Sequence, residues 1–326
     1  MKMERIFFLA ILFLSLWACG DDDEGPPGEV VPPRLLSEVA AEDDAEIVAF
    51  LKSHFYNYEE FENPPPEFDF QVRFDTIAGE NSGKQAIFDS PNLIKETINV
   101  PSSIFGRNDG EEVDHTLYVL VAQQGAVADS MPTIGDNAII QYKGTLLDGT
   151  VFDAVTGQPI RFNLSQVVPG FGNGLEYFQK GTGPNEVGDG TISYEEFGSG
   201  AIFIPSGLAY FASPQAGSGI PIYAPLIFKV QLLDYEPNTD TDNDGIPSIQ
   251  EDVNNNGNLN DDNTDVQFEN PRARLPNFRD PDDDGDGIPT AEEILIDGEV
   301  QKDANGMVIF PDTDGDGTPD HLDDDL

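Results

Sequence analysis

Apolar positions along the chain change their period several times. Ile6 to Ala18 is apolar throughout apart from Ser15. Ile47, Val48, Phe50, Leu51 and Phe55 then recur at three- and four-residue spacing behind the acidic run Glu42-Asp43-Asp44. That spacing predicts an amphipathic helix with acid in its first turn, and Pro64-Pro65-Pro66 ends any helix. Phe68-Asp69-Phe70-Gln71-Val72-Arg73-Phe74 alternates apolar and polar residues, which predicts a half-buried strand. Two weaker strands are predicted near 85–88 and 94–100. From residue 113 onward short β-branched and aromatic runs dominate: Thr116 to Ala122, Asn137 to Lys143, Ile160 to Leu164, Gly200 to Pro205 and Leu226 to Leu233. Turn residues such as Asp148-Gly149 separate them, and one short helix is predicted at about Gly174 to Lys180. Several strands with one helix imply an α+β domain over 113–236, an antiparallel sheet wrapped on a short helix. Residues 35–112 read as a small structural appendage to it.

The first apolar run is about 13 residues long, short of the roughly 20 that span a bilayer. With Lys2 and Arg5 ahead of it, it reads as the core of an export signal over residues 1–19. Leu16-Trp17-Ala18-Cys19 resembles the bacterial lipobox, with Trp17 as a departure. Cys19, the single cysteine, is therefore the expected lipidation site, and an outer-membrane lipoprotein is the expected location, facing either the cell surface or the periplasm. Residues 20–34, acidic and then rich in Pro and Gly, read as a solvated tether. The acidic run after Cys19 resembles the surface-export signal of Bacteroidetes lipoproteins. A lone cysteine excludes an internal disulfide and cysteine-based zinc sites. The scattered His54, His115 and His321 offer no ligand cluster.

The formal net charge is -45, which argues against nucleic acid as a partner and for cations. Residues 237–326 hold 26 Asp and Glu against 4 Lys and Arg, enough to mark them as a separate module.

The run Ile140-Gln141-Tyr142-Lys143-Gly144-Thr145-Leu146-Leu147-Asp148-Gly149-Thr150-Val151-Phe152-Asp153 resembles a signature of the FKBP-type peptidyl-prolyl cis-trans isomerases. Phe162 with Val167-Val168-Pro169-Gly170-Phe171, then Ile204-Pro205-Ser206-Gly207-Leu208-Ala209-Tyr210, then Ile220-Pro221 and Pro225 to Val230 are similar to the later blocks of that family, in order, over about 120 residues. The resemblance implies an FKBP fold and a pocket made of Tyr142, Phe152, Asp153, Phe162, Val167, Val168, Phe171, Tyr210, Ile220 and Phe228. It implies Phe171 as the floor under the prolyl ring, where many family members have Trp. It implies the Val168 N–H and the Tyr210 hydroxyl as donors to substrate carbonyls, with Asp153 holding Tyr142. No cofactor is implied for catalysis. Two departures are an insertion over Gly181 to Gly198 and a recast loop at 211–219. Within the insertion, Asp189 to Glu196 is similar to the second half of an EF-hand loop, but Val187 cannot ligate, so a hairpin is expected.

In the tail, Asp240, Asp242 and Asp244 with Glu251, and Asp282, Asp284 and Asp286 with Glu293, fit the spacing of oxygens that converge on one calcium ion, with Gly in sixth place for the sharp turn. Asp312, Asp314 and Asp316 follow, with Asp320 and Asp323 in the later positions, and Asp252, Asn254 and Asn256 form a weaker copy. The starts 252, 282 and 312 lie 30 residues apart, an internal repeat. No helix enters the loops, which resemble thrombospondin type 3 calcium repeats. With few apolar residues, the tail is expected to be ordered mainly by Ca2+.

The expected function is isomerisation of X–Pro bonds in unfolded or nascent exported proteins at the cell envelope. The alternatives are an FKBP-like chaperone without turnover, and a calcium-dependent adhesion or matrix protein that uses the fold as scaffold.

Overall fold

A computed structural model describes residues 33–188, 191–268 and 274–325. The expected export signal, Cys19 and most of the tether lie outside them. The chain opens with α1 (Leu36–Ser53), β1 (His54–Tyr56), α2 (Tyr58–Glu62), β2 (Phe74–Thr76) and β3 (Leu93–Pro101). It continues through β4 (Glu112–Gln123), β5 (Asn137–Leu146), β6 (Val151–Asn163), α3 (Pro169–Leu175), β7 (Thr182–Val187), β8 (Thr191–Glu195), β9 (Gly198–Ile204) and β10 (Leu226–Glu236). The tail carries α4 (Thr290–Glu293) and the short strands β11 (Leu295–Ile296) and β12 (Glu299–Val300).

One antiparallel sheet organises the whole, in the order β3-β4-β9-β10-β5-β6. Its central strands are buried on both faces. Leu117, Val119, Ile202, Ile204, Phe228, Val230 and Tyr142 face α3, while Tyr118, Leu120, Ala201, Phe203 and Ile227 face α1. This is why β4 and β9 read as continuous apolar runs rather than as alternation. β3, expected as part of the N-terminal appendage, is the edge strand of this sheet, paired with β4 from Leu93↔Leu120 to Pro101↔Glu112.

Four local expectations are corrected. α1 begins at Leu36, so Glu42-Asp43-Asp44 lies beyond the first turn instead of in it, and Asp43 falls on the buried stripe with Leu36, Val39, Ala40, Ile47, Phe50 and Leu51. The alternating stretch 68–74 contributes only Phe74 to a strand. Phe68 and Phe70 instead cluster with Phe61, ring centroids 5.1 Å apart for Phe61–Phe68 and 4.8 Å for Phe68–Phe70, with Phe70 at φ +52°. The helix expected at 174–180 is α3, five residues earlier in its start, because Pro169 at N1 sets the first turn. The weak strand near 85–88 is a 3-10 turn, Ile87–Asp89. β7 and β8 form the hairpin expected in the insertion; its turn, Asp189-Gly190, lies outside the described residues.

The tail is not held by carboxylates alone. Ile134, just before β5, packs with Ile249, Leu259 and Phe278, and Ile246, Ile294, Val308 and Phe310 make a second small core. Polar contacts fasten the tail to the sheet domain: Asn137 N donates to Thr239 Oγ1 at 3.1 Å, Asn163 Nδ2 to Thr241 Oγ1 at 3.1 Å and Asn260 Nδ2 to the Ser165 carbonyl at 3.1 Å.

Candidate active site and cation loops

All ten pocket residues expected from the sequence border one cavity of about 680 Å3, together with Gln166, Pro169, Gln215 and Ser218. The sheet supplies most of its wall. β5 and β10 pair antiparallel, with Tyr142 opposite Val230 and Gly144 opposite Phe228. Gly144 is there for space: a Cβ would sit 2.5 Å from the Phe152 ring. α3 lays Phe171 across the bottom, 2 % exposed. Its ring meets Phe228 edge-on at 4.8 Å and Tyr142 at 6.0 Å, the tilted arrangement aromatic quadrupoles prefer.

Two phenols and one acid give this wall its polarity. The Tyr142 hydroxyl donates to Asp153 Oδ2, while Asp153 Oδ1 accepts from Ala154 N at 2.8 Å. Burial, then the Asp153 carboxylate, raises the Tyr142 pKa, so the phenol keeps its proton and remains a donor. Tyr210 is raised as well, by burial and then by Asp153. Its hydroxyl bonds to no described protein group and is available to a ligand.

The turn that precedes Tyr210 is held by a contact remote in sequence. The 3-10 turn Ser206–Leu208 is gripped by Asp43 of α1, whose Oδ2 accepts from Ser206 N and Ser206 Oγ, each at 2.6 Å. Asp43 is 3 % exposed, and burial pushes its pKa up to about 6 against those hydrogen bonds. Next in the chain, Phe211 adopts φ +47° and packs between Phe105 at 4.4 Å and Tyr223 at 4.9 Å, pinning the recast loop at its start.

The tail holds three equivalent loops, starting at Asp240, Asp282 and Asp312. In each, the second residue's N–H bonds to the side chain seven positions on: Thr241 to Ser248 at 3.2 Å, Asp283 to Thr290 at 3.1 Å and Thr313 to Asp320 at 2.6 Å. The sixth-position glycines, Gly245, Gly287 and Gly317, have φ of +106°, +97° and +103°, a region that side chains avoid. Side-chain oxygens of Asp240, Asp242 and Asp244 lie within 4.8 Å of one another, as do those of Asp282, Asp284 and Asp286, and of Asp312, Asp314 and Asp316. Glu293 stands by the second set, its pKa raised to about 8 by burial and then by Asp284, Asp286 and Asp282. Other expected ligands are engaged elsewhere. Asp320 accepts from Thr313, and Asp323 accepts from Asp325 N. The weaker copy at Asp252 keeps the same turn, with Gly257 N donating to Asp252 Oδ2 at 2.9 Å and Asn258 N to Asn256 Oδ1 at 2.8 Å, while Asn254 Nδ2 donates to Asp262 and Asn256 Nδ2 to Asp261, both at 2.9 Å. The loop at 240 thus joins those at 282 and 312 as an all-aspartate loop, and the loop at 252 is the amide-bearing one.

The pocket begins inside a recognisable segment. Residues 128–185 match the family model of FKBP-type peptidyl-prolyl cis-trans isomerases. The probable FKBP-type peptidyl-prolyl cis-trans isomerase FkpA of Neisseria meningitidis is 36% identical over 119 residues, which is 36% of this chain and 37% of that protein. Escherichia coli FkpA is 32% identical over 136 residues, 41% of this chain and 43% of its own length. The outer membrane protein MIP of Legionella longbeachae is 31% identical over 165 residues, 50% of this chain and 57% of its own. The chain thus spans about two fifths of the FkpA relatives and just over half of MIP. Residues 241–307 match a second model, described as BamM C-terminal.

Sequence reasoning missed Gln166, Gln215 and Ser218 at the rim of the pocket, and Asp43 behind it. An acid on the apolar face of a predicted helix was the available signal for Asp43. Nothing local tied it to Ser206, 163 residues away.

Proposed function

We propose that the FKBP-type domain isomerises X–Pro bonds in exported proteins of the cell envelope. The observation that carries this is the cavity of Phe171, Phe228, Phe162 and Tyr142, with the Tyr210 hydroxyl as a ready donor. The barrier to rotation is amide resonance, about 18–20 kcal/mol for a peptide bond. The twisted amide carries less charge separation than the planar one. An aromatic cavity therefore favours it over the planar form, while fixed donors hold the flanking carbonyls. Asp153 keeps Tyr142 in place, and the reaction uses no nucleophile. The test is a prolyl-isomerase assay on the full chain with X–Pro peptides. Phe171→Ala should lower kcat/KM by at least about tenfold, since the floor supplies more than one net contact of about 1 kcal/mol. A folded wild-type chain that is inactive yet suppresses aggregation would leave the chaperone reading in its place.

The lipobox-like residues before Cys19 support a lipid anchor at the outer membrane. Cys19→Ser should move the protein out of the membrane fraction, and unchanged fractionation would remove the anchor.

The tail supports a second activity, calcium binding, on the three equivalent loops with convergent carboxylates. Oxygen-only donors suit a hard cation, and calcium is the one that takes flexible all-oxygen coordination from carboxylates, carbonyls and water. The oxygens of Asp242 and Glu251 are buried without a protein partner, although a buried carboxylate ordinarily has one.

A further inference from the structure

Asp283 occupies the second position of its loop, where the other two loops have Thr241 and Thr313. Those threonines use their hydroxyls in hydrogen bonds, Thr241 with Ser248 and Asn163, and Thr313 with Asp320. Asp283 does not. It is 1 % exposed and neither oxygen has a hydrogen-bond partner. Its loop neighbours Asp282, Asp284 and Asp286 converge on their own centre, whereas Asp283, out of phase with them, meets the other loop. Oxygens of Asp283, Asp244 and Glu251 lie within 4.8 Å of one another, and Asp244 also belongs to the Asp240–Asp242 cluster. Asp244 and Glu251 are 2 % and 3 % exposed, and both Glu251 oxygens likewise lack partners. Oxygens on opposite sides of an ion coordinated at about 2.4 Å stand about 4.8 Å apart. The set therefore has the dimensions of one coordination sphere.

We propose that Asp283 completes a composite calcium site with Asp240, Asp242, Asp244 and Glu251, so that one cation ties the first loop to the second. This rests on the calcium reading of the tail and adds a ligand that the repeat pattern does not provide. Calcium is favoured over magnesium because buried carboxylates leave no room for the waters magnesium retains. The cation becomes a tertiary clasp, joining segments that have little apolar surface with which to hold each other.

The test uses the full chain and calcium itself, followed by titration calorimetry and thermal unfolding. Asp283→Asn keeps the volume and removes one charge. In chelator it should melt above wild type, because a buried repulsive charge is gone. In millimolar calcium it should melt below wild type, with affinity at this site weaker by about tenfold or more. Glu251→Gln, on the partner loop, should show the same inversion and serves if the first variant folds poorly. Should Asp283→Asn melt higher in both conditions, Asp283 is a buried uncompensated acid and the composite site is wrong. Wild-type calcium binding that Asp283→Asn leaves unchanged also removes the composite site while keeping the calcium reading. A wild-type chain that binds no calcium removes both.

Discussion

At the scale of single residues, the pocket divides its work between shape and polarity. Phe171 contributes a surface that nothing else can replace, whereas Tyr210 contributes one hydroxyl on a ring that packs regardless. Tyr210→Phe should therefore cost less than Phe171→Ala. One net hydrogen bond of about 0.5–1.5 kcal/mol corresponds to roughly 2- to 12-fold in rate. Asp153→Ala should fall between them, through the loss of the Tyr142 contact; equal losses in all three would point to a folding defect. Asp43 offers a pH test. Its folded pKa of about 6 lies above the ordinary 3.8, so the folded state holds more protons across that interval. Its contribution to stability is then greatest below about pH 4 and is lost as pH rises through about 6, by on the order of 3 kcal/mol. His115, buried against Gly207 with its pKa lowered by burial, acts in the opposite direction. Asp43→Asn isolates the acid: its melting temperature minus that of wild type should grow between pH 4 and pH 7. A difference that stays flat across that range would show that Asp43 titrates as an ordinary carboxylate.

At the scale of elements, the sheet is a shared object. α1 covers Leu120, Ala201, Phe203 and Ile227, all essentially inaccessible to solvent, and β3 satisfies the outer edge of β4. Uncovering large side chains of this kind costs roughly 1.5–3 kcal/mol each, against total stabilities of about 5–15 kcal/mol. A fragment of residues 113–236 should therefore aggregate or remain partly unfolded, whereas residues 33–236 should melt cooperatively. Circular dichroism and NMR dispersion on the two fragments check this. A cooperative melt of 113–236 at the temperature of the longer piece would show that α1 and β3 are dispensable. The periodicity of α1 was plain in the sequence, and so were the strands of 116–122 and 226–233. That α1 and β3 belong to the sheet was not, because central strands buried on both faces carry no sign of what covers either one.

At the scale of the whole molecule, a chain of net charge -45 brings a dense set of acids against its own folded domain. Small apolar clusters and a few amide contacts at Asn137, Asn163 and Asn260 hold the tail there, and like charges oppose them. Removing calcium from the full chain should lower its Tm, by an amount that grows with the calcium concentration used for comparison. The isomerase rate should change by less than about threefold, since the described residues lining the pocket include none beyond Phe228. Loss of activity in parallel with Tm would mean that the tail braces the segment from Phe162 to Val167 through Asn163 and Ser165.

The pocket residues were legible because an FKBP-like signature confines them to four short blocks, each with its own turn chemistry. The calcium-like loops were legible because convergence of alternate positions is a local property of a tight turn. Three things depended on the tertiary structure: the grip of Asp43 on the turn before Tyr210, the place of β3 at the sheet edge, and the meeting of Asp283 with Glu251. Each joins residues far apart in the chain, and such contacts are set by how faces pack, which no local spacing encodes. The carboxylate of Asp283 looks in sequence like one more acid in an acidic run. Its burial beside Asp244 and Glu251, out of phase with its own loop, distinguishes it from its neighbours.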